Sequence, residues 1–256
     1  MKELRKLLME SGEEVNRETV SRICELIRTE EEMYTILVRV TNNFYLDEED
    51  GLPAAWIFTG HSFAEENVRN LRDFGLEVRE MEIPVKQRLG FFHDLFRSGI
   101  EAVRIDRGQE HSFTMSLFNL IERPDEKALK TMNPVLVRDA NRFYQDISRN
   151  RATPQEQKFF STALGKAVFL VPVNAENGSN PMVTNKAGGK YFAVFTDPNE
   201  FFRFDKKHVY EAAEVPFKEL RKLAEKADGI VVNPFGFGLS LDTAKIKRIL
   251  EEISLS

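Results

Sequence analysis

Two groups of residues in this chain have types and spacings suited to chemistry. The first is His61, Asp106 and His111. His111 lies five residues past Asp106 across a short turn, so an Asp–His pair is available there. His61 follows Phe58-Thr59, a strand end that the fold could bring to the same sheet edge. Gathered around one water, the three would make a hydrolase-like site, with an imidazole as general base and a carboxylate to orient it. The plainer reading is three polar loop residues, since no nucleophile–base motif accompanies them. The second group is Asn233-Pro234-Phe235-Gly236-Phe237-Gly238. Pro234 fixes its own φ and favours an extended Asn233, while Gly236 and Gly238 permit positive φ. Phe235 and Phe237 in such a turn would present an aromatic rim to a ligand or peptide. The plainer reading is a hairpin that folds both rings into the core. The run lacks the Gly and Lys spacing of a phosphate loop.

Thr59 and Thr196 end two further strands just before helix starts, where anions can bind. Ser62 and Asp197 already serve as caps there, and Asp197 would repel an anion. His61, His93, His111 and His208 are scattered, and no short His, Cys or carboxylate spacing suggests a metal site. The expectation is no metal and no cofactor.

The elements that must position these residues occur twice. Each half has an apolar strand (Ile36-Leu37-Val38-Arg39-Val40; Phe169-Leu170-Val171-Pro172-Val173) and a strand ending in Phe-Thr (Phe58-Thr59; Phe195-Thr196). A capped helix and a strand running into Pro follow (Ile83-Pro84; Val215-Pro216), then an amphipathic helix and an apolar strand ending at a Gly turn (103–108; 231–236). So long a period means a duplicated domain and not a solenoid. The predicted fold is α+β: a tandem duplication of a β-β-α-β-α-β-β domain with mixed sheets and flanking helices.

Local signals fill in the pattern. Ser62-Phe63-Ala64-Glu65, Asp197-Pro198-Asn199-Glu200 and Thr153-Pro154-Gln155-Glu156 each predict a capped helix start. Val85, Leu89, Phe92 and Phe96 trace one helix face, and Phe217, Leu220, Ala224 and Ala227 another. Helices are also predicted over 2–10, stopped by Ser11-Gly12, over 17–29 and over 243–253. Residues 42–52 read as a polar loop and 174–190, with Asn177-Gly178 and Gly188-Gly189, as a mobile one. The boundaries expected are 1–121 for the first copy, 122–152 for a helical connector and 153–256 for the second.

Composition narrows the classes. A chain of 256 residues has room for two domains. Its 21 Phe demand burial, which excludes a disordered chain. A formal net charge of −5 argues against a nucleic-acid binder, which would carry a basic face. Runs such as Glu30-Glu31-Glu32 and Asp47-Glu48-Glu49-Asp50 read as solvated faces. No apolar run is long enough to span a membrane. The start, Met1-Lys2-Glu3-Leu4-Arg5, lacks the apolar core of a signal peptide. The single cysteine, Cys24, falls on an apolar helix face and fits a reducing cytoplasm.

The second half resembles the N-terminal domain of the SseB family, the enhanced-serine-sensitivity proteins of bacteria. The likeness rests on 169–173, on Tyr191-Phe192-Ala193-Val194-Phe195-Thr196-Asp197, and above all on Ala227-Asp228-Gly229-Ile230-Val231-Val232-Asn233-Pro234-Phe235-Gly236. It is strongest over 155–256. The first half, 16–121, keeps the strand and the Gly turn but loses Asp-Gly and Asn-Pro. The resemblance implies an α+β fold in a bacterial cytoplasmic protein and brings no catalytic residue. The expected function is a non-catalytic binding module for an unknown protein or small-molecule ligand, with Asn233, Pro234, Phe235, Gly236 and Phe237 as binding residues. Neither nucleic acid nor membrane is expected as a partner. The alternatives are the hydrolase-like enzyme with its site in the first copy, and a metabolite sensor with its ligand between the copies.

Overall fold

The computed structural model describes residues 3–11, 16–29 and 32–254, without the side chains of Ser11, Glu126 and Ala128. Met1, Lys2, the Gly12 stop signal, Glu30 and Glu31 lie outside the described residues. The chain divides into two compact units, Met1–Arg123 with Ser148–Asn150, and Pro124–Ile147 with Arg151–Ser256. No helix among the described residues is long and apolar enough to cross a membrane.

The first unit opens with α1 (Glu3–Ser11) and α2 (Arg17–Thr29), whose Leu4, Ile23, Cys24 and Ile27 are buried. There follow β1 (Tyr34–Val38), β2 (Asn43–Phe44), β3 (Asp47–Glu49), β4 (Leu52–Phe58), α3 (His61–Asp73), β5 (Val78–Glu82), α4 (Arg88–Arg97), β6 (Ala102–Ile105) and β7 (Phe113–Ser116). The main path across its sheet is β5-β1-β4-β6-β7, antiparallel except for the parallel step from β4 to β6. β2 and β3 pair with β1 and β4. Helix α3 lays Ala64, Val68 and Leu71 over Ile36, Val38, Trp56, Phe58 and Val78, and so covers one face of that sheet.

The second unit comprises α5 (Glu126–Leu129), α6 (Pro134–Ile147), α7 (Pro154–Lys166), β8 (Val168–Asn174), β9 (Met182–Thr184), β10 (Lys190–Val194), α8 (Pro198–Phe204), β11 (Tyr210–Pro216), α9 (Phe217–Ala224), β12 (Gly229–Val232), β13 (Leu239–Asp242) and α10 (Thr243–Ser254). β8 pairs with β11, and a bridge between Leu170 and Phe195 joins that pair to β9-β10-β12-β13. The path β11-β8-β10-β12-β13 is again antiparallel except for one parallel step, β10 to β12. Its larger core gathers Phe169, Val171, Phe192, Val194, Ile230 and Val232 under helices α6, α7, α9 and α10. The segment expected to be a connector supplies α6, whose Leu136 and Ala140 belong to this core.

Several local expectations need correcting. Helix α3 starts at His61 with Gly60 as its cap and no side-chain cap bond, so the Ser62–Glu65 box does not form. A Cβ at Gly60 would meet the Arg5 guanidinium. The other two signals hold. Thr153 and Glu156 form a complete capping box, and Asp197 accepts from the backbone N–H groups of Asn199 and Glu200. The buried face of α4 is Arg88, Phe91, Phe92, Leu95 and Phe96, because a 3-10 turn at Val85–Gln87 delays the helix and shifts its phase. Leu89 is accordingly 61% exposed. The polar segment 42–52 holds β2 and β3 and buries Phe44, Tyr45 and Leu46. The segment read as a mobile loop contains β9, paired with β10.

Candidate functional site

β4 and β6 run parallel with Ile57 beside Ile105, so Thr59 and Asp106 emerge from the same sheet end. Asp106 turns sharply there, at φ 48°, with its N–H donating to Ile57 O at 2.9 Å. Its carboxylate is fully buried and accepts three hydrogen bonds. Oδ1 takes Thr59 N–H at 2.7 Å, and Oδ2 takes Thr59 Oγ1 at 2.7 Å and His111 Nε2 at 2.8 Å. Arg5 donates from Nε to Thr59 Oγ1 at 2.6 Å and from Nη2 to Thr59 O at 2.7 Å. Thr59 Oγ1 therefore passes its own proton toward Asp106, and an ionised Asp106 requires His111 to carry hydrogen on Nε2.

This arrangement is a closed lock on a turn. A general base needs a ring nitrogen aimed at the reacting group. His111 gives Nε2 to Asp106, the kind of bond that orients an imidazole, and its largely buried ring lies 5.9 Å from Phe63. His61 does not join the pair. Its side chain is 54% exposed, 4.0 Å from Glu80 Oε1, with its ring edge-on to Tyr34. Two of the three candidate catalytic residues thus meet, and the third faces elsewhere. Among the described residues no group of three or more His, Cys, Asp or Glu could hold a metal ion.

The second unit repeats the lock with different chemistry. Asn233 follows β12 at φ 48°, buried, and its N–H donates to Val194 O at 2.9 Å. Its Oδ1 accepts from Thr196 N–H at 3.0 Å, and its Nδ2 donates to Thr196 Oγ1 at 2.8 Å. Thr196 Oγ1 in turn donates to Asp197 Oδ2 at 2.9 Å. Asn233 O receives the N–H groups of Gly236 and Gly238, both at 2.9 Å. The left-handed residues of this turn are Asn233 and Gly238, not Gly236, and Asn233 is not extended despite the following proline. Asn tolerates that region, and its side-chain bonds to Thr196 hold it there. A Cβ at Gly236 would stand 2.7 Å from Glu200 Oε2, the far end of a flexible side chain that can shift.

The two Phe of the turn have opposite fates. Phe237 packs against the larger core, edge-on to Tyr144. Phe235 is 62% exposed and lies 6.0 Å from Phe204. Phe204 continues inward to Phe195 at 5.2 Å and sideways to Tyr210 at 5.7 Å. These rings lie on the sheet face opposite the larger core, where strand alternation places Leu170, Ala193 and Phe195. Helix α8 lies over it, seven residues contributing Phe201 and Phe204. The corresponding helix of the first unit, α3, has thirteen. Val183, Phe204 and Tyr210 are left half-covered, with Phe202 on α8 54% exposed. Of these residues, sequence reading singled out Phe235. The signal it passed over was Phe201-Phe202-Arg203-Phe204, too many aromatics for a two-turn helix to bury on one side.

A groove of about 680 Å³ lies elsewhere in this unit, between α7 and α10, lined by Lys158, Ser161, Glu252 and Ile253 among others. None of the candidate site residues read from the sequence lines it.

No curated protein matches the chain. Two solved structures show a distant likeness. Tic22 from Plasmodium falciparum is 10% identical, over 91% of this chain and 98% of that chain, with a TM-score of 0.24. Anabaena Tic22 (protein transport) is 8% identical, over 82% and 92%, with a TM-score of 0.22. Residues 146–248, which carry the second unit's sheet and the Asn233 turn, match the family model of the SseB protein N-terminal domain.

Proposed function

We propose that this chain is a non-catalytic binding module of the SseB type, which engages a partner on the thinly covered sheet face of its second unit. The observation that carries the reading is Phe235, exposed at a turn whose backbone is locked by Asn233 and seated on the half-covered Phe204. A rigid turn presenting an aromatic ring beside apolar surface suits recognition, because little ordering entropy opposes binding. Asn233 and Gly236 then act as the frame and Phe235 as the contact, with Pro234 half-buried beside it. The buried Asp106–His111 pair is the first unit's version of the same frame, which weighs against the hydrolase-like alternative. We further propose that the two units are copies of one domain, given their matching strand paths and the Thr59–Asp106 and Thr196–Asn233 locks. The buried thiol of Cys24 fits the reading of a cytoplasmic protein.

Single substitutions test the recognition surface. Phe235→Ser should leave the melting temperature within about 2 °C, since exposed positions change stability by about 0.5 kcal/mol or less. It should also abolish capture of the partners that wild type retains from a native-host lysate. Phe237→Ser should cost about 2 kcal/mol or more, by opening a cavity beside Tyr144. Capture unchanged by Phe235→Ser would refute the proposed surface.

A further inference from the structure

The face proposed for recognition has a charged border. The turn from α8 to β11 places Lys206, Lys207 and His208 in solvent, directly after Phe204 and before the half-covered Tyr210. Among the described residues neither lysine forms an ion pair. Three nearby acids are already engaged. Asp205 is buried and accepts from the N–H groups of Val209 and Tyr210 at 2.9 and 3.0 Å, which fixes this turn. Glu200 pairs with Arg203 at 2.6 Å, and Glu214, on the same sheet face, pairs with Lys130 at 3.0 Å. The second unit as a whole carries a slight excess of Lys and Arg, while the first carries the acidic excess.

Resting on the binding reading above, we propose that the partner is an acidic peptide segment: an aromatic or aliphatic anchor that packs on Phe235 and Phe204, flanked by Asp or Glu that meet Lys206 and Lys207. Two lysines at the edge of an aromatic row match one or two carboxylates of a peptide. They fall short of the clusters of roughly four to eight cations that hold a protein to an anionic membrane. Charges in this position steer encounter and set specificity, while the apolar anchor supplies affinity.

The test is selection of a random displayed peptide library on the full chain, with Phe235→Ser as counter-selection. The expected result is enrichment of sequences with Asp or Glu around one aromatic or aliphatic residue. Their affinity should fall at least tenfold in Lys206→Glu/Lys207→Glu, and should weaken with added salt. Circular dichroism and melting of both variants should match wild type, as all three positions are exposed. Enrichment of neutral or basic sequences that still need Phe235 would overturn the acidic partner and leave the binding face standing. No enrichment beyond the counter-selected chain would overturn both. Flotation with phosphatidylserine vesicles, lost in the lysine double variant and without acidic peptide enrichment, would overturn the peptide in favour of a lipid surface.

Discussion

At the scale of the residue, the same backbone problem is solved twice. A strand must end, turn through a left-handed residue and keep its neighbour strand in register. Asp106 and Asn233 both do this at φ 48°, each holding the amide and hydroxyl of a threonine on the adjacent strand. Asp and Asn are among the few non-glycine residues that tolerate such a φ. Their difference has a consequence. The carboxylate of Asp106 calls for a further donor, which His111 supplies, whereas the amide of Asn233 is satisfied by Thr196. The two glycines of the second turn separate on the same logic. Gly238→Ala should cost about 1–2 kcal/mol, because Gly238 sits at φ 66°. Gly236→Ala should cost less, since its added methyl meets only the flexible end of Glu200. Urea unfolding of the two variants measures the order, and a larger loss for Gly236→Ala would contradict this geometry.

At the scale of the element, helix starts decide what is covered. α7 begins on a full capping box, with Thr153 N–H donating to Glu156 Oε2 at 2.7 Å and Glu156 N–H donating to Thr153 Oγ1 at 3.2 Å. Burial pushes the Glu156 carboxyl up, but hydrogen bonds from Thr153, a proton shared with the Asp146 carboxyl and the charge of Arg142 together pull it below its ordinary value. A carboxyl so depressed on folding adds stability above its unfolded value, and that part is lost as pH falls through the folded one. Wild type should therefore exceed Glu156→Gln in melting temperature at neutral pH, and the gap should close as the carboxyl protonates in acid. A gap independent of pH would show that the box acts without the charge. α8 has an equally good start on Asp197 and Pro198 but runs only to Phe204, where Asp205 ends it by accepting from the turn. That early stop leaves Phe202, Phe204 and Tyr210 short of cover, on the face proposed for recognition.

At the scale of the molecule, the second unit reaches back beyond residues 153–256. Residues before α7 complete the second unit. Asn133 Nδ2 donates to Val168 O at 2.8 Å and to Thr196 O at 2.9 Å, and α6 lends Leu136 and Ala140 to the core. A fragment of residues 124–256 should fold with a cooperative melt. One of 153–256 should be less stable by several kcal/mol, having lost buried apolar area and left two carbonyls without donors. Equal melting temperatures for the two fragments would place α6 outside the fold.

The sequence alone determined the class of the fold, because strand and helix periodicities in this chain are set by local alternation and recur in both halves. It also determined the caps at Thr153 and Asp197, where every bond is made within four residues. Only the tertiary structure decided what lay farther apart in the chain. The Ser62 box does not form because α3 already starts at His61, on Gly60, beside a Thr59 held by Arg5 from over fifty residues away. Asn233 lost its extended preference to bonds with Thr196, a neighbour only through the parallel step of β10 and β12. Phe235 and Phe237 share one turn and one residue type, yet one faces solvent and the other the core. Which ring is buried depends on what stands opposite, and Tyr144 and Phe204 come from helices that the turn's own sequence does not encode.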